Sequence, residues 1–262
     1  MFKFCSLYSG STGNSSLVQT ENTKILIDAG ESAKKLTEAL NSINIEPTQI
    51  NAILITHEHS DHIKGLGTFS KKYNIPVYAN VDTWNAMNTQ REKINSNNIK
   101  YFNYEKFNIG DLTILPFSIP HDAANPSGFS IYYKDKKISI ATDIGHMTTE
   151  VVKNLTNSSF ILLEANYDSN ILKCSSYPYV LKKRISGPNG HLSNDEAGKT
   201  ISNLIEHGLN TVMLGHLSKE NNFPELAYKT VVEQLMKNDV NENLFHLSVA
   251  NRYNVSPIID VI

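Results

Sequence analysis

Three histidines and an aspartate fall within a stretch of six residues in the segment THEHSDH: His57, His59, Asp61 and His62. In an extended loop, the side chains of His57 and His59 point the same way and can chelate one ion. Asp61 and His62 come where the chain turns into the next predicted helix, so they can face a second ion. Packing imidazoles and carboxylates together is costly unless something pairs them. The segment therefore predicts a metal site rather than ordinary core or surface histidines.

Further ligand-type side chains follow predicted strands. His121 lies in SIPHDA, Asp143 in IATDIG and His216 in MLGH, each at the end of an apolar run. The histidine-rich segment likewise comes directly after an apolar run, NAILIT at 51–56. A buried strand delivers polar ligands at its carboxyl end, where the ends of neighbouring strands meet. We therefore expect these side chains to lie together at a sheet edge.

Hydrophobic patterning predicts short strands alternating with amphipathic helices. The strands are expected at 2–8, 15–20, 24–28, 51–56, 76–79, 112–119, 128–134, 137–142, 159–165, 210–216 and 244–249. The helices are expected at 31–43, 62–73, 81–93, 193–208 and 224–238. Ser193 and Glu196 form a capping box at the start of one helix. The KDKK turn at 134–137 favours a hairpin, and hence a mixed sheet.

Composition narrows the classes of protein that fit. The chain has 262 residues, 40% of them apolar, and a formal net charge of −2, and no linker divides it, so we expect one domain over 1–262. No apolar run approaches the ~20 residues of a membrane span, and without a long apolar segment near Met1 we expect no signal peptide. Cys5 and Cys174 are the only cysteines, which excludes a disulfide framework. We therefore expect a cytoplasmic protein without a membrane partner.

Two pairs of segments echo each other within the chain. NAILITH (51–57) and NTVMLGH (210–216) share an asparagine, an apolar run and a terminal histidine, while ILIDAG (25–30) and IATDIG (140–145) share Asp-x-Gly. Duplication of a β/α half would explain both pairs and would give two facing sheets with helices outside. Convergent chemistry at strand ends explains them as well, so both interpretations stay open.

The pattern HxHxDH resembles the signature of the metallo-β-lactamase superfamily, and the resemblance covers nearly the whole chain. It implies an α/β fold, an αββα sandwich of two mixed β-sheets flanked by helices, with a dinuclear metal site along one edge. The implied ligands are His57, His59 and His121 for metal 1, Asp61, His62 and His216 for metal 2, and Asp143 as the bridge. Zinc and manganese both suit such nitrogen and oxygen ligands. Asp28 resembles the superfamily aspartate that hydrogen-bonds the metal loop.

A second set of residues resembles the phosphodiesterase branch typified by the tRNA 3′-processing ribonucleases. Glu164, His191 and His216 match that branch in order. The match implies that His216 binds metal, and that His191, oriented by Glu164, acts on the scissile phosphate. The catalytic residues would then be Asp61, Glu164 and His191. The opposite assignment of His191 and His216 stays open.

Spacing excludes several relatives within the superfamily. His121 and Asp143 are 22 residues apart, too few for the arm of the long-armed tRNA-processing ribonucleases, and Asp143 and His191 are 48 apart, too few for a β-CASP cassette. Many true β-lactamases have a cysteine where this chain has Asp143. SGSTGNSS, THEHSDH and NGHLSNDEAG resemble instead the compact YycJ/WalJ group of bacterial hydrolases. That resemblance implies a metal-dependent nuclease, namely a DNA exonuclease acting from 5′ ends.

The residues suggest where a nucleic acid would bind. Between 167 and 191, one aspartate stands against four cations on an otherwise acidic chain. Cations bind phosphates and tyrosines stack on bases, so the candidate substrate contacts are Tyr177, Tyr179, Lys182, Lys183 and Arg184. Ser11 and Asn14, in the SGSTGN turn, are further candidates. A solvated helix face with core aromatics is the alternative for the basic segment. The rival functions are a small-molecule cyclic phosphodiesterase and a non-catalytic metal-binding regulator.

Overall fold

The chain forms fourteen strands in two seven-stranded sheets within residues 1–238, 240 and 245–261, which this computed structural model describes. The strands are β1 (Phe2–Tyr8), β2 (Ser15–Thr20), β3 (Lys24–Ile27), β4 (Ala52–Leu54), β5 (Val77–Ala79), β6 (Ile99–Tyr101), β7 (Phe107–Ile109), β8 (Leu112–Ser118), β9 (Ser127–Tyr133), β10 (Lys136–Ala141), β11 (Phe160–Glu164), β12 (Thr211–Gly215), β13 (His246–Val249) and β14 (Ile259–Asp260). The first sheet has the order β14-β1-β2-β3-β4-β5-β6, and the second has the order β13-β12-β11-β10-β9-β8-β7.

Ten helices accompany the sheets in the described part of the chain. They are α1 (Ala33–Ser42), α2 (Ser60–Ile63), α3 (Leu66–Tyr73), α4 (Val81–Ala86), α5 (Asn88–Arg91), α6 (Thr149–Leu155), α7 (Ser169–Cys174), α8 (Tyr179–Ile185), α9 (Asn194–Ile205) and α10 (Pro224–Lys237). Ser193 caps α9 by accepting a hydrogen bond from the Glu196 amide, which is one half of the predicted capping box, while the Glu196 carboxylate pairs with Lys199. None of these helices combines the length and apolarity that crossing a bilayer requires.

Alternation along the strands places apolar side chains on both faces of each sheet. In β2, Leu17 packs against α1 and α3, whereas its neighbour Val18 packs between the sheets. In β11, Ile161 packs against α6, α9 and α10, whereas Phe160 packs between the sheets. The layers are therefore helix, sheet, sheet and helix, which confirms the predicted αββα sandwich.

Both sheets are mixed, and their parallel halves position the predicted ligands. Strands β3, β4, β5 and β6 run parallel in the first sheet, as do β10, β11, β12 and β13 in the second. The remaining pairs are antiparallel. Asp28 and the histidine-rich loop follow β3 and β4, while Asp143 and His216 follow β10 and β12. Carboxyl ends of parallel strands meet at one edge, so each sheet contributes half of the candidate site.

Two predicted helices are broken. The helix expected at 62–73 divides into α2 and α3 around Gly65, whose amide donates to the Ala29 carbonyl at 2.9 Å. A Cβ at Gly65 would lie 2.0 Å from the Glu31 carbonyl oxygen, so this break lets two backbone segments touch. The helix expected at 81–93 divides into α4 and α5 at Met87.

Several short elements are missing from the predicted pattern. Strands β6, β7 and β14 have two or three residues each, and helices α6, α7 and α8 have six or seven. Such lengths give little periodic signal. The strand expected at 244–249 is β13, and residue 244 lies outside the described residues.

Candidate metal centre

Asp28 holds the histidine-rich loop in place from the end of β3. Its Oδ1 accepts a hydrogen bond from the Thr56 amide at 2.9 Å. Its Oδ2 accepts from the Thr56 hydroxyl at 2.9 Å and from His62 Nδ1 at 2.7 Å. The carboxylate is buried and fully bonded, which is the place in the fold that the sequence predicts for it.

The SGSTGN turn packs directly against Asp61. A Cβ at Gly30 would lie 1.7 Å from the Asp61 carbonyl oxygen, and the Asn14 amide donates to that oxygen at 2.8 Å. The Asn14 side chain donates to Asp61 Oδ2 at 3.2 Å and to the Gly10 carbonyl at 3.0 Å. The predicted substrate contact Asn14 is buried and hydrogen-bonded to Asp61, and its contact with substrate stays a prediction. Ser11, predicted with it, is exposed on the same turn.

One group of possible ligands consists of His57, His59 and His121. Each offers a ring nitrogen, and these nitrogens lie within 4.8 Å of one another. His59 Nδ1 is 3.3 Å from His121 Nε2. His57 Nε2 is buried and has no hydrogen-bond partner among the described residues. A buried unpaired nitrogen facing two others fits a cation site.

A second group consists of Asp61, His62 and His216, and Asp143 lies between the two groups. Asp61 Oδ2 is 3.4 Å from His216 Nε2 and 3.5 Å from His62 Nε2. Asp143 reaches His62 Nε2 at 3.2 Å and His216 Nε2 at 3.5 Å. It also approaches His121 Nε2 of the first group, at 3.7 Å. The structure thus brings together all seven predicted ligands, while their binding of metal stays a prediction.

The histidines are oriented by bonds on the nitrogen away from the centre. Nδ1 of His57 contacts the Thr56 hydroxyl at 3.0 Å, and Nδ1 of His121 contacts the Gly190 carbonyl at 3.0 Å. Nδ1 of His216 contacts Glu164 Oε1 at 2.7 Å. An acceptor at Nδ1 selects the tautomer whose Nε2 carries a lone pair, which is the arrangement typical of metal-binding histidines.

Glu164 joins His191 to this network. Its Oε1 accepts hydrogen bonds from His216 Nδ1 at 2.7 Å and His191 Nδ1 at 2.9 Å. Its Oε2 accepts from the amides of Ile144 at 2.8 Å and Leu192 at 3.0 Å. His191 approaches Asp143 through the nitrogen already bonded to Glu164, at 3.8 Å, whereas His216 does so through Nε2. This difference favours His216 over His191 as the ligand.

The charges in the site reinforce one another. Burial would lower the pKa of His216, but the Asp143 carboxylate and hydrogen bonds to neighbouring carboxylates raise it to about 10. Burial would raise the pKa of Glu164, but His191 and His216 lower it to about 2. Burial lowers the pKa of His57 well below its usual range. The carboxylates are therefore ionised at neutral pH, and the site favours cations.

Three residues of the site have left-handed backbone conformations. The φ angles of Asp28, Asp143 and His216 are 63°, 59° and 54°. Such angles are uncommon outside glycine and cost roughly 1–3 kcal/mol each. Each residue follows a parallel strand and is held there. The His216 backbone amide, for example, donates a hydrogen bond to Ser9 Oγ at 2.8 Å. Strain retained at three strand ends indicates a functional site.

The predicted basic segment forms the exposed helix α8. A cavity of about 440 Å³ is lined by Tyr167, Tyr177, Tyr179, Lys173, Lys182 and Lys183, among others. Tyr179 is 71% exposed, so it is not the core aromatic of the alternative interpretation. Arg184 lies outside this lining and pairs with Asp122, with Nε 2.5 Å from Oδ2.

Some residues of the site have weak sequence signals. Thr56 bonds both Asp28 and His57, and its only signal is a hydroxyl residue directly before the first histidine. Asn166 donates to the His216 carbonyl at 2.8 Å, and Ser9 accepts from the His216 amide. These contacts join distant parts of the chain, so local spacing does not predict them.

Comparisons with known proteins agree with this architecture. A family model described as the metallo-β-lactamase superfamily matches residues 8–192. The chain is 41% identical over 242 residues to exodeoxyribonuclease WalJ of Streptococcus pneumoniae, covering 91% of this chain and 90% of that one. It is 35% identical over 233 residues to exodeoxyribonuclease YycJ of Bacillus anthracis, covering 88% of each. The solved structure of zinc-bound PqqB from Methylobacterium extorquens superposes with a TM-score of 0.73 at 13% identity, over 98% of this chain and 99% of that one, and shows the shared fold.

The superfamily uses divalent metal ions, and the nitrogen and carboxylate donors here, with the unpaired His57 Nε2, fit such ions. The chain belongs to the metallo-β-lactamase superfamily of hydrolases, within the group that includes WalJ and YycJ.

Proposed function

We propose that this protein is a metal-dependent exodeoxyribonuclease that hydrolyses DNA from 5′ ends. The observation that carries the proposal is the meeting of two ligand groups at Asp143, beside the His191–Glu164 pair. The similarity to two proteins named exodeoxyribonucleases supports DNA as the substrate.

The proposed cofactor is a pair of divalent ions, zinc or manganese. Metal 1 would be held by His57, His59 and His121, metal 2 by Asp61, His62 and His216, and Asp143 would lie between them. When bound, such ions acidify water and stabilise the charge that develops on phosphoryl oxygens.

His191 supplies the acid–base chemistry of the chain itself. Burial would lower its pKa, but the charge and the hydrogen bond of Glu164 raise it above the usual histidine value. The ring therefore holds a proton near neutral pH and can donate it to the departing oxygen of a phosphodiester. Its side chain is 20% exposed, whereas that of His216 is 2% exposed. Of these two histidines, His191 is therefore the one that substrate can reach.

The cavity beside α8 suits a nucleic acid strand. Tyr177 and Tyr179 offer stacking faces beside the buried Tyr167, and three lysines offer charges for phosphates. If this is the DNA path, Lys182→Gln with Lys183→Gln lowers the slope of log K against log salt by roughly 1.4–1.8. Lys229→Gln with Lys237→Gln, on α10, removes equal charge away from the cavity and serves as the control.

The test compares substrates on one preparation loaded with manganese, zinc or magnesium. We expect 5′-labelled duplex DNA to release labelled mononucleotides first, and Asp143→Asn to abolish that release. Hydrolysis of a cyclic nucleotide without cleavage of DNA would instead identify a small-molecule phosphodiesterase. Two bound ions without hydrolysis of any diester would identify a non-catalytic regulator.

A further inference from the structure

Arg252 extends the row of polar residues at the carboxyl ends of the parallel strands. Asp143, Glu164 and His216 stand at the ends of β10, β11 and β12, and Arg252 follows β13, the next strand in that sheet. The Ala250 amide still bonds the Leu214 carbonyl at 2.8 Å, so the chain leaves the sheet beside His216. Arg252 therefore lies at the same sheet edge as the candidate metal centre.

Arg252 differs from the other two arginines, because none of the described residues is its hydrogen-bond or ion-pair partner. Arg184 pairs with Asp122, and Arg91 donates to the Tyr101 hydroxyl at 2.9 Å. Arg252 Nη1 is buried without a hydrogen bond to any residue that the structure describes. Burial lowers the pKa of Arg252, and no carboxylate among those residues lies within ion-pair distance of it. A half-buried guanidinium without an anion is costly, so its position calls for one.

The glycine turn places this guanidinium close to the ligands. A Cβ at Gly10 would lie 2.6 Å from Arg252 Nη1, so glycine makes room for the arginine. Ser9, the neighbouring residue in the turn, accepts a hydrogen bond from the His216 amide. The Asn14 side chain donates hydrogen bonds to the Gly10 carbonyl and to Asp61. One short turn therefore contacts both Arg252 and two candidate ligands, His216 and Asp61.

Tyr253 adds an aromatic face beside the unpaired cation. Its side chain is 57% exposed, and the Arg252 guanidinium carbon lies 5.9 Å from its ring centroid. A cation next to an exposed aromatic ring is the combination that binds single-stranded nucleic acids through phosphate and base together.

We propose that Arg252 binds a DNA backbone phosphate adjacent to the phosphate that is cleaved, and that Tyr253 stacks on a base of the same strand. This site rests on the proposed nuclease function and is separate from the cavity beside α8. The opposing explanation is that Arg252 only braces the Gly10 turn, and in that case its loss harms the fold and every substrate alike.

The test uses the metal-loaded full chain with DNA in single-turnover reactions. The rate at increasing enzyme concentration gives the half-saturating concentration for labelled DNA, and bis-p-nitrophenyl phosphate reports the metal site. We expect Arg252→Met to raise the half-saturating concentration about tenfold or more, and to lower its salt slope by about 0.9. The loss on DNA should exceed the loss on the small diester at least tenfold. Arg252→Lys should recover part of the affinity for DNA, and Tyr253→Ala should weaken DNA binding about fivefold or more.

Arg91→Met removes the same charge from α5, so it measures the general effect of charge. Equal loss on both substrates together with a lower midpoint of thermal unfolding would show that Arg252 is structural. An Arg252→Met variant that binds DNA like the Arg91→Met control would overturn the phosphate contact. A wild type that hydrolyses the small diester but never DNA would overturn the nuclease proposal, and the Arg252 site with it.

Discussion

Replacing Glu164 by glutamine should weaken metal binding and DNA cleavage while leaving the fold in place. The carboxylate accepts four hydrogen bonds, two from histidine Nδ1 atoms and two from the amides of Ile144 and Leu192. Glutamine offers one oxygen and one donating NH₂ group, so the NH₂ group must oppose one pair of donors. The amides cannot change their protonation, whereas an imidazole can move its proton. The glutamine oxygen therefore accepts the hydrogen bonds of the two backbone amides. The NH₂ group then faces the histidine Nδ1 atoms, and each ring must move its proton to Nε2 to accept from it.

The switch has a calculable consequence for His216. A ring that accepts at Nδ1 carries its proton on Nε2, the nitrogen that lies 3.4 Å from Asp61 and 3.5 Å from Asp143. A protonated nitrogen cannot bind metal. Loss of a residue that orients a ligand costs about 10- to 100-fold in metal affinity or activity, or roughly 1.4–2.7 kcal/mol.

Metal affinity is measured by competition with a chromophoric chelator, and activity by cleavage of labelled DNA. Glu196→Gln makes the same chemical change on the exposed first turn of α9 and should leave both quantities unchanged. Unaltered affinity for both ions in Glu164→Gln, with its thermal midpoint preserved, would refute the tautomer argument.

Three further predictions concern single side chains. Asp143→Ala should lose most activity in the DNA cleavage assay and keep its fold by circular dichroism, with metal content followed by elemental analysis. Full activity in this variant would show that Asp143 is not part of the centre. His216→Ala should lose one ion per chain and His191→Ala should keep both, whereas the reverse metal contents would exchange their roles. Burial raises the pKa of Cys5 to about 12, so it stays a thiol at pH 9, and iodoacetamide should modify only the exposed Cys174 in the native protein. Mass spectrometry that finds both cysteines labelled before unfolding would contradict that burial.

The sequence predicts the parts of the site that are local or that end regular strands. His57, His59, Asp61 and His62 are local, because they lie in the loop and the short helix α2 that directly follow strand β4. The αββα sandwich is predicted through the family resemblance, and the alternation of short strands with amphipathic helices agrees with it. Residues that act through distant contacts are different. Asn14 reads as an exposed turn residue until its bond to Asp61, 47 positions away, is seen.

Charge in the sequence does not distinguish paired cations from unpaired ones. Arg184 lies in the most basic segment, yet it is paired with Asp122, 62 positions away. Arg252 has no basic neighbours in sequence, yet it is the arginine without a partner among the described residues. Only packing reveals this difference, because the pairing depends on which loops meet at the sheet edge.

The candidate centre is organised by the fold before any ligand arrives. The Nδ1 acceptors come from separate elements: Thr56 follows β4, Asp28 follows β3, Gly190 follows α8 and Glu164 ends β11. Each acceptor fixes the tautomer and rotation of one ring. The rings are therefore already ordered by the packing of the two sheets, and ligand binding loses little additional side-chain entropy in aligning the nitrogens. The left-handed angles at Asp28, Asp143 and His216 place this alignment at strand ends, where sheet hydrogen bonds resist relaxation. A chain with intact histidines but a loosened contact between the sheets should therefore lose metal affinity before it loses secondary structure.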